Sequence, residues 1–214
     1  MSDTRLLQQF ARYPEPGKVK TRLQTALTAR DACAVHEELL LHTANTLVAC
    51  GFGPAELWLD RLDEHLTLSA ALSLGMSGVY LQQGADLGER MYAALAQGLT
   101  RAQAVVLVGS DCPVLSRDYL AAAFKALEST QVVLGPAEDG GFVLIACTSV
   151  REGMFDDISW GGAQVLDETQ QRLKKANLSH ALLDVLYDID TPADLQRWRN
   201  DQGSGVGSDS CVLN

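Results

Sequence analysis

The chain has 214 residues, 47% of them hydrophobic and 21% charged, which is enough to bury a core without staples and too apolar for a disordered chain. A formal net charge of −10 argues against nucleic acid as the main partner, because neutralising phosphates takes clustered Lys and Arg. The five cysteines (Cys33, Cys50, Cys112, Cys147 and Cys211) are odd in number and form no C-x-x-C pair, which argues against zinc and against a disulfide framework. With an N-terminus lacking a long apolar run, and no stretch approaching the ~20 apolar residues of a membrane span, the expectation is a cytoplasmic protein with reduced thiols.

Short apolar runs alternate with helical patterns. Arg5 to Phe10 reads as a first strand and ends in the turn-rich YPEPGK. A long amphipathic helix covers about Ala29 to Cys50, stopped by Gly51, Gly53 and Pro54. Glu56 to Asp60 and Val79 to Gln83 read as the next strands. A helix follows with Asp86 as its N-cap, and Leu87, Met91, Leu95 and Leu99 recur on one stripe. Ala104 to Val108 is continuously apolar, as expected of a strand buried on both faces. Ser116 caps the next helix, with Leu120, Phe124 and Leu127 inward. Gln131 to Gly135 and Phe142 to Cys147 are two more strands, whose PAEDGG link suits either a hairpin or a strand-to-helix loop. A helix from about Gly162 to Ala176, a strand near Ala181 to Tyr187, and a helix opened by Thr191, Pro192 and Asp194 complete the domain.

This alternation predicts one α/β domain over residues 1–202, a three-layer Rossmann-like fold with a mostly parallel mixed sheet and helices on both faces. The Gly- and Ser-rich tail, 203–214, is expected to be flexible. In such sheets ligands bind outside the carboxyl ends of the strands, so the loops after Phe10, Gln83, Val108, Gly135 and Tyr187 are the ones to inspect.

Four of those loops carry chemistry. After the first strand, Arg12, Lys18, Lys20 and Arg22 form a basic island in an acidic chain, and Gly17 permits close backbone approach; leading into a helix, they suit a diphosphate. The glycine spacing of a Walker A or G-x-G-x-x-G motif is absent, and a solvated basic turn is the plain alternative. Asp111, just past the most apolar strand, can hold Mg2+ or Mn2+ against a diphosphate or simply cap a turn. Asp190, and more weakly Asp188, can supply a second metal carboxylate or only open a helix. Asp139 can bind a sugar hydroxyl or act as a base, with Gly140 and Gly141 leaving room for a ligand, although a tight turn needs glycine anyway. Glu89 and Arg90 fall at the site edge, and Trp160 suits either stacking on a base or sugar or a place in the core. Cys112 reads as packing, and His36, His42, His65 and His180 as structural or surface residues.

FARYPEPGKVKTRL, QQGADLGERM, GSDCPVL, GPAEDGGFVLI and DIDTPADL follow one another across nearly the whole chain. In that order they resemble a bacterial family of glycosyltransferase-like proteins with the nucleotide-diphospho-sugar transferase (GT-A) fold, some members of which are linked to arsenosugar biosynthesis. The resemblance implies a donor nucleotide under the first loop, a metal carboxylate at Asp111, and a second at Asp190, the second Asp of a D-x-D-T-P element. Two departures matter. The first loop is Pro- and Lys-rich and is similar to the Lys-Ser/Thr-Arg-Leu loop of the phospholactate guanylyltransferases, and Asp111 stands without a D-x-D partner. The leading expectation is metal-assisted glycosyl transfer from a nucleotide-diphospho-sugar to a small-molecule acceptor. Nucleotidyl transfer from a nucleoside triphosphate is the first alternative, and a non-catalytic nucleotide-binding protein the second.

Overall fold

The computed structural model describes residues 4–204. Seven strands form one sheet: β1 (Arg5–Ala11), β2 (Ala55–Leu59), β3 (Gly78–Leu81), β4 (Ala104–Gly109), β5 (Val132–Pro136), β6 (Phe142–Cys147) and β7 (His180–Leu182). Their order is β3-β2-β1-β4-β6-β5-β7, and β6 runs antiparallel to both of its neighbours while the other pairings are parallel. PAEDGG is therefore a hairpin. Because β5 runs parallel to β7 and antiparallel to β6, as β4 does, that turn reaches the same edge as the loops after β1 and β4.

Helices cover both faces. Odd-numbered β1 residues (Leu7, Ala11) pack with Leu40, Leu47, Leu68, Leu120 and Phe124 on the side of α1 (Ala29–Ala49), α2 (Leu66–Leu74) and α4 (Arg117–Ala126). Even-numbered ones (Leu6, Phe10) pack with Met91, Leu95 and Leu173 on the side of α3 (Leu87–Leu99) and α5 (Val165–Lys175). The period of two in a strand makes this division automatic. It also explains two buried glutamines. Gln8 donates to Ala94 O at 2.9 Å in α3 and Gln9 to Leu40 O at 2.9 Å in α1, so the central strand is tied to a helix on each face.

A third apolar cluster joins Leu23, Ala32, Val35, Leu39, Tyr187, Ile189 and Trp198. It packs α1 against α6 (Pro192–Ser204) and clamps between them the end of the basic loop and the segment carrying Asp188 and Asp190. The caps read from the sequence form. The side chains of Asp86 and Ser116 accept from the backbone N–H of Glu89 and Tyr119, and Asp194 accepts from Thr191 N at 2.7 Å.

Several expectations change. The basic loop leads not into an α-helix but into a five-residue 3-10 helix, Thr21–Thr25, with no side-chain cap, and α1 starts only at Ala29. No α-helix N-terminus therefore faces an anion there. The sequence reading missed α2, an apolar stretch without a clear polar face whose Leu66, Leu72 and Leu74 stay exposed. Leu87 leaves its stripe, 43% exposed at the helix start, while Met91 and Leu95 are buried. β7 is only three residues long, and α5 begins three residues late, so Gly162 stays in a loop. Of the expected tail, the first two residues extend α6 to Ser204; the rest, with Cys211, lies outside the described residues.

Candidate active site

The strand order reverses between β1 and β4, the switch point where open α/β sheets form their ligand crevice. A cavity of about 500 Å³ opens there, lined by the loop after β1 (Arg12, Val19, Lys20, Thr21, Arg22), by Ser110 and Asp111 after β4, and by His36, Asp60, Gln82, Arg90 and Asp190. A second cavity of about 220 Å³ shares Phe10, Leu87 and Gly109 with it and is lined by Asp139, Gly141, Phe142, Trp160, Gly162 and Asp188. The first is ringed by charge and the second is walled mainly by aromatic and aliphatic side chains, so one cleft offers two chemically different halves.

Within the first half, cations and carboxylates are already paired. Lys20 Nζ lies 2.8 Å from Asp111 Oδ1 and also donates to Ile189 O; its side chain is 3% exposed. Arg22 Nη1 binds Asp190 Oδ2. Ile189 N donates to Asp111 O at 2.8 Å, so main chain as well as side chains bring the two acidic segments together. Arg12 Nη1 donates to Lys18 O at 3.0 Å, and its Nε approaches Asp60 Oδ2 at 3.7 Å. His36 Nε2 stands 2.9 Å from Arg12 O; a carbonyl only accepts, so that nitrogen carries the proton. Burial lowers the His36 pKa, with the Asp111 carboxylate opposing it, so the imidazole holds the loop as a neutral donor.

Not every expected residue converges. Gly17 and Lys18 lie away from both cavities; Lys18 instead faces a separate pocket beside Glu15 and Arg61. Gly140 gives no room to a ligand. At φ +89, a Cβ there would sit 2.2 Å from Ala163 O, so protein backbone fills the space. Gly141, by contrast, lines the second cavity and donates to Asp139 Oδ1 at 2.8 Å. Trp160 is half-buried: it packs on Phe142 and Phe155 and also lines the cavity. Cys112 is buried and its thiol is pushed up to about 12 by burial, which fits packing and not nucleophilic attack. Asp60 and Ser110 were missed. Asp60 follows β2 at the same sheet edge and accepts from Tyr13 N at 2.7 Å, so the rule that found the other loops would have found it.

The donor set can be tested against the divalent cation that the fold suggests. Burial first, then the Asp139 and Asp111 carboxylates, push the Asp188 carboxyl up to about 6. Asp111 Oδ1 is buried and lacks a hydrogen bond despite its contact with Lys20. No cluster of three or more potential metal ligands is pre-assembled among the described residues. Mg2+ does not need one, because it keeps several waters and binds through one or two carboxylates plus substrate phosphates. Asp111 and Asp190, two carboxylates lining the same cavity, suit such an ion in their chemistry.

The crowding at Asp188 has a measurable consequence. Its carboxyl is raised from 3.8 to about 6, so folding takes up a proton between these values and the stability contributed here falls as pH rises through that window. The shift would be worth about 3 kcal/mol for a sealed group, and partial exposure reduces that to about 1–2 kcal/mol. Asp188→Asn should stabilise the protein by that amount at pH 7 and be neutral near pH 3, below the unfolded value, as read from urea unfolding at the two values. Equal effects at both would sink the assignment.

Fold and cleft together define a nucleotide-diphospho-sugar transferase architecture. The chain is similar, at 31% identity over 98% of its length and 92% of the other's, to a protein from Desulfovibrio desulfuricans G20 provisionally named a nucleotide-diphospho-sugar transferase, with a TM-score of 0.83. The family described as "Uncharacterized protein conserved in bacteria (DUF2064)" matches residues 43–162, and the chain belongs to it. More remote likenesses share the fold. CMP:2-keto-3-deoxy-manno-octonic acid synthetase complexed with CTP has 11% identity and a TM-score of 0.63, covering 95% of this chain and 100% of that one. Glucosyl-3-phosphoglycerate synthase from Mycobacterium tuberculosis, in complex with Mn2+, UDP and glucosyl-3-phosphoglycerate, has 12% identity and a TM-score of 0.56, covering 94% and 77%. No curated protein matches the chain. No helix among the described residues is long and apolar enough to cross a membrane.

Proposed function

We propose that the chain is a transferase that moves a sugar from a nucleotide-diphospho-sugar to a small-molecule acceptor with the help of Mg2+ or Mn2+. The observation that carries this reading is the divided cleft at the switch point. A charged cavity of about 500 Å³ suits a nucleoside diphosphate, and an abutting cavity of about 220 Å³ suits one sugar ring.

Lys20 and Arg22 hold the diphosphate, and Arg12 and Arg90 flank it. Asp111 and Asp190, with Asp188 beside them, would hold the cation, which when bound neutralises charge on the leaving phosphate. Trp160 and Phe142 offer apolar surface to the ring, and Asp139 contacts a sugar hydroxyl or takes the acceptor's proton. Catalysis then rests on positioning and on stabilising the leaving group, not on a protein nucleophile.

A second reading, nucleotidyl transfer from a nucleoside triphosphate to a phosphorylated small molecule, draws on two features. The loop runs Lys20-Thr21-Arg22-Leu23, and Asp111 is a single carboxylate at the end of β4. Neighbours of this fold include the synthetase complexed with CTP and a protein named an inositol-1-phosphate CTP transferase.

A thermal-shift panel of nucleoside mono-, di- and triphosphates and nucleotide sugars, each with and without Mg2+ or Mn2+, tests both. A ligand at 100 times its Kd stabilises the folded state by about 2.7 kcal/mol, several degrees for a chain of this size. The expected result is a metal-dependent shift with one nucleotide sugar, followed by release of a nucleoside diphosphate on turnover. A shift with triphosphates alone, and release of pyrophosphate, selects the second reading. Binding without turnover at high enzyme concentration marks a non-catalytic nucleotide-binding protein, and no shift with any compound removes the nucleotide site.

A further inference from the structure

The cleft neutralises itself. Two cations of the basic loop are bound to carboxylates suited to the metal: Lys20 to Asp111 at 2.8 Å, and Arg22 to Asp190. The two pairs differ in kind. Arg22 is 64% exposed and can swing away, whereas the Lys20 side chain is 3% exposed. Lys20 Nζ is held from a second side by Ile189 O, the carbonyl between Asp188 and Asp190, so one ammonium joins the basic loop, the end of β4 and the acidic segment before α6. The backbone of Lys20 adopts a left-handed conformation, φ 48, that side-chain-bearing residues rarely take. Asp111 Oδ1, the oxygen facing this ammonium, is buried and has no hydrogen bond.

We propose that Lys20 is a tethered counter-cation, which occupies the Asp111 carboxylate before nucleotide binds and competes there with the divalent metal. A diphosphate draws Lys20 toward itself and frees Asp111, so nucleotide and metal bind by exchanging ion-pair partners. Linkage then requires that each strengthen the other's binding by the same factor. The Arg22–Asp190 pair is the exposed half of the same exchange. This inference rests on the metal-assisted reading of the cleft and adds to it the expectation that metal binds more weakly without nucleotide.

The test is Mn2+ binding to the full-length chain without nucleotide, followed through the loss of the free-ion electron paramagnetic resonance signal. Lys20→Met removes the competing charge at nearly constant shape, and Lys20→Gln keeps an N–H donor for Ile189 O should the first variant fold poorly. Either variant should bind Mn2+ at least tenfold more tightly than the wild type, and adding Asp111→Asn should erase that gain. In the wild type UDP, CDP or GDP should strengthen Mn2+ binding, and by a smaller factor in the variants. A metal that merely bridges protein and phosphate also produces the wild-type coupling, so the nucleotide-free comparison decides. If the Lys20 variants bind Mn2+ no more tightly while the wild type binds it with a nucleoside diphosphate, the competition is overturned and the metal-assisted reading stands. If no form binds Mn2+ with any of the three, both fall.

Discussion

Asp111→Asn should weaken metal-dependent nucleotide binding by about 100-fold, or about 2.7 kcal/mol, while leaving the fold intact. Asp111 follows β4, the strand beside the switch point, and its side chain is 44% exposed, so one oxygen meets the cleft while Oδ1 is turned inward against Lys20. Asparagine keeps the shape and removes the charge that both a divalent cation and Lys20 require. A second effect separates this from a simple loss of contact. The buried Lys20 ammonium loses its counter-ion, and breaking a fully buried pair costs about 3–5 kcal/mol. With Asp111 nearly half exposed, a loss of about 1–2 kcal/mol in ligand-free stability is the expected share. Melting curves with and without Mg2+ or Mn2+, and with and without the nucleotide found in the panel, read both effects. A metal-dependent shift equal to that of the wild type would remove Asp111 from the site and leave Asp188 and Asp190 to carry it.

How much of this was legible before the structure depends on the range over which each signal acts. Local signals transferred well. Asp86 and Ser116 cap their helices because a short polar side chain three residues before an N–H does so almost irrespective of context. The continuous apolar run of β4 marked a strand buried on both faces, and the loop at its end proved to line the cleft. Of the five strand-end loops expected at this edge, four supply lining residues. Pairing was not legible. Nothing local tells that β6 enters between β4 and β5 in the opposite direction, since partner and direction are decided by which apolar faces meet after the chain has folded. Nor could the sequence show that the expected phosphate ligands, Lys20 and Arg22, lie on the expected metal ligands, Asp111 and Asp190, because these partners are separated by about a hundred residues or more and meet only through the cluster of Leu23, Ile189 and Trp198. His36 is the clearest miss of meaning. The sequence reads it as structural or surface; it is buried and structural, and the carbonyl it holds belongs to Arg12 at the mouth of the cleft.

Gly140→Ala is expected to be among the most damaging single substitutions in the site loops, for a reason opposite to the one the sequence suggested. Two adjacent glycines beside Asp139 read as space left for a ligand, yet at Gly140 the space is taken by the Ala163 carbonyl, 2.2 Å from where a Cβ would stand. The approach is part of a joint, because Gly140 O also accepts from Leu166 N at 2.9 Å and so fixes the β5–β6 turn to the start of α5. An alanine meets two separable costs: a left-handed φ of +89, worth roughly 1–2 kcal/mol, and a steric conflict with backbone that cannot rotate away, worth roughly 1–3 kcal/mol. Their sum, roughly 2–5 kcal/mol, should lower the Tm by about 5–15 °C. Gly17→Ala is the internal control. Gly17 has φ +83 but nothing within 4 Å of the added Cβ, so it carries the conformational cost alone. The difference between the two variants isolates the contact with Ala163. The same joint sets the position of Asp139 and Gly141 on the smaller cavity, so Gly140→Ala should also impair use of the sugar-bearing part of the donor more than binding of the nucleoside diphosphate. Equal stability of the two alanine variants would show that the loop moves aside freely, and the turn could then no longer be treated as a rigid wall of the site.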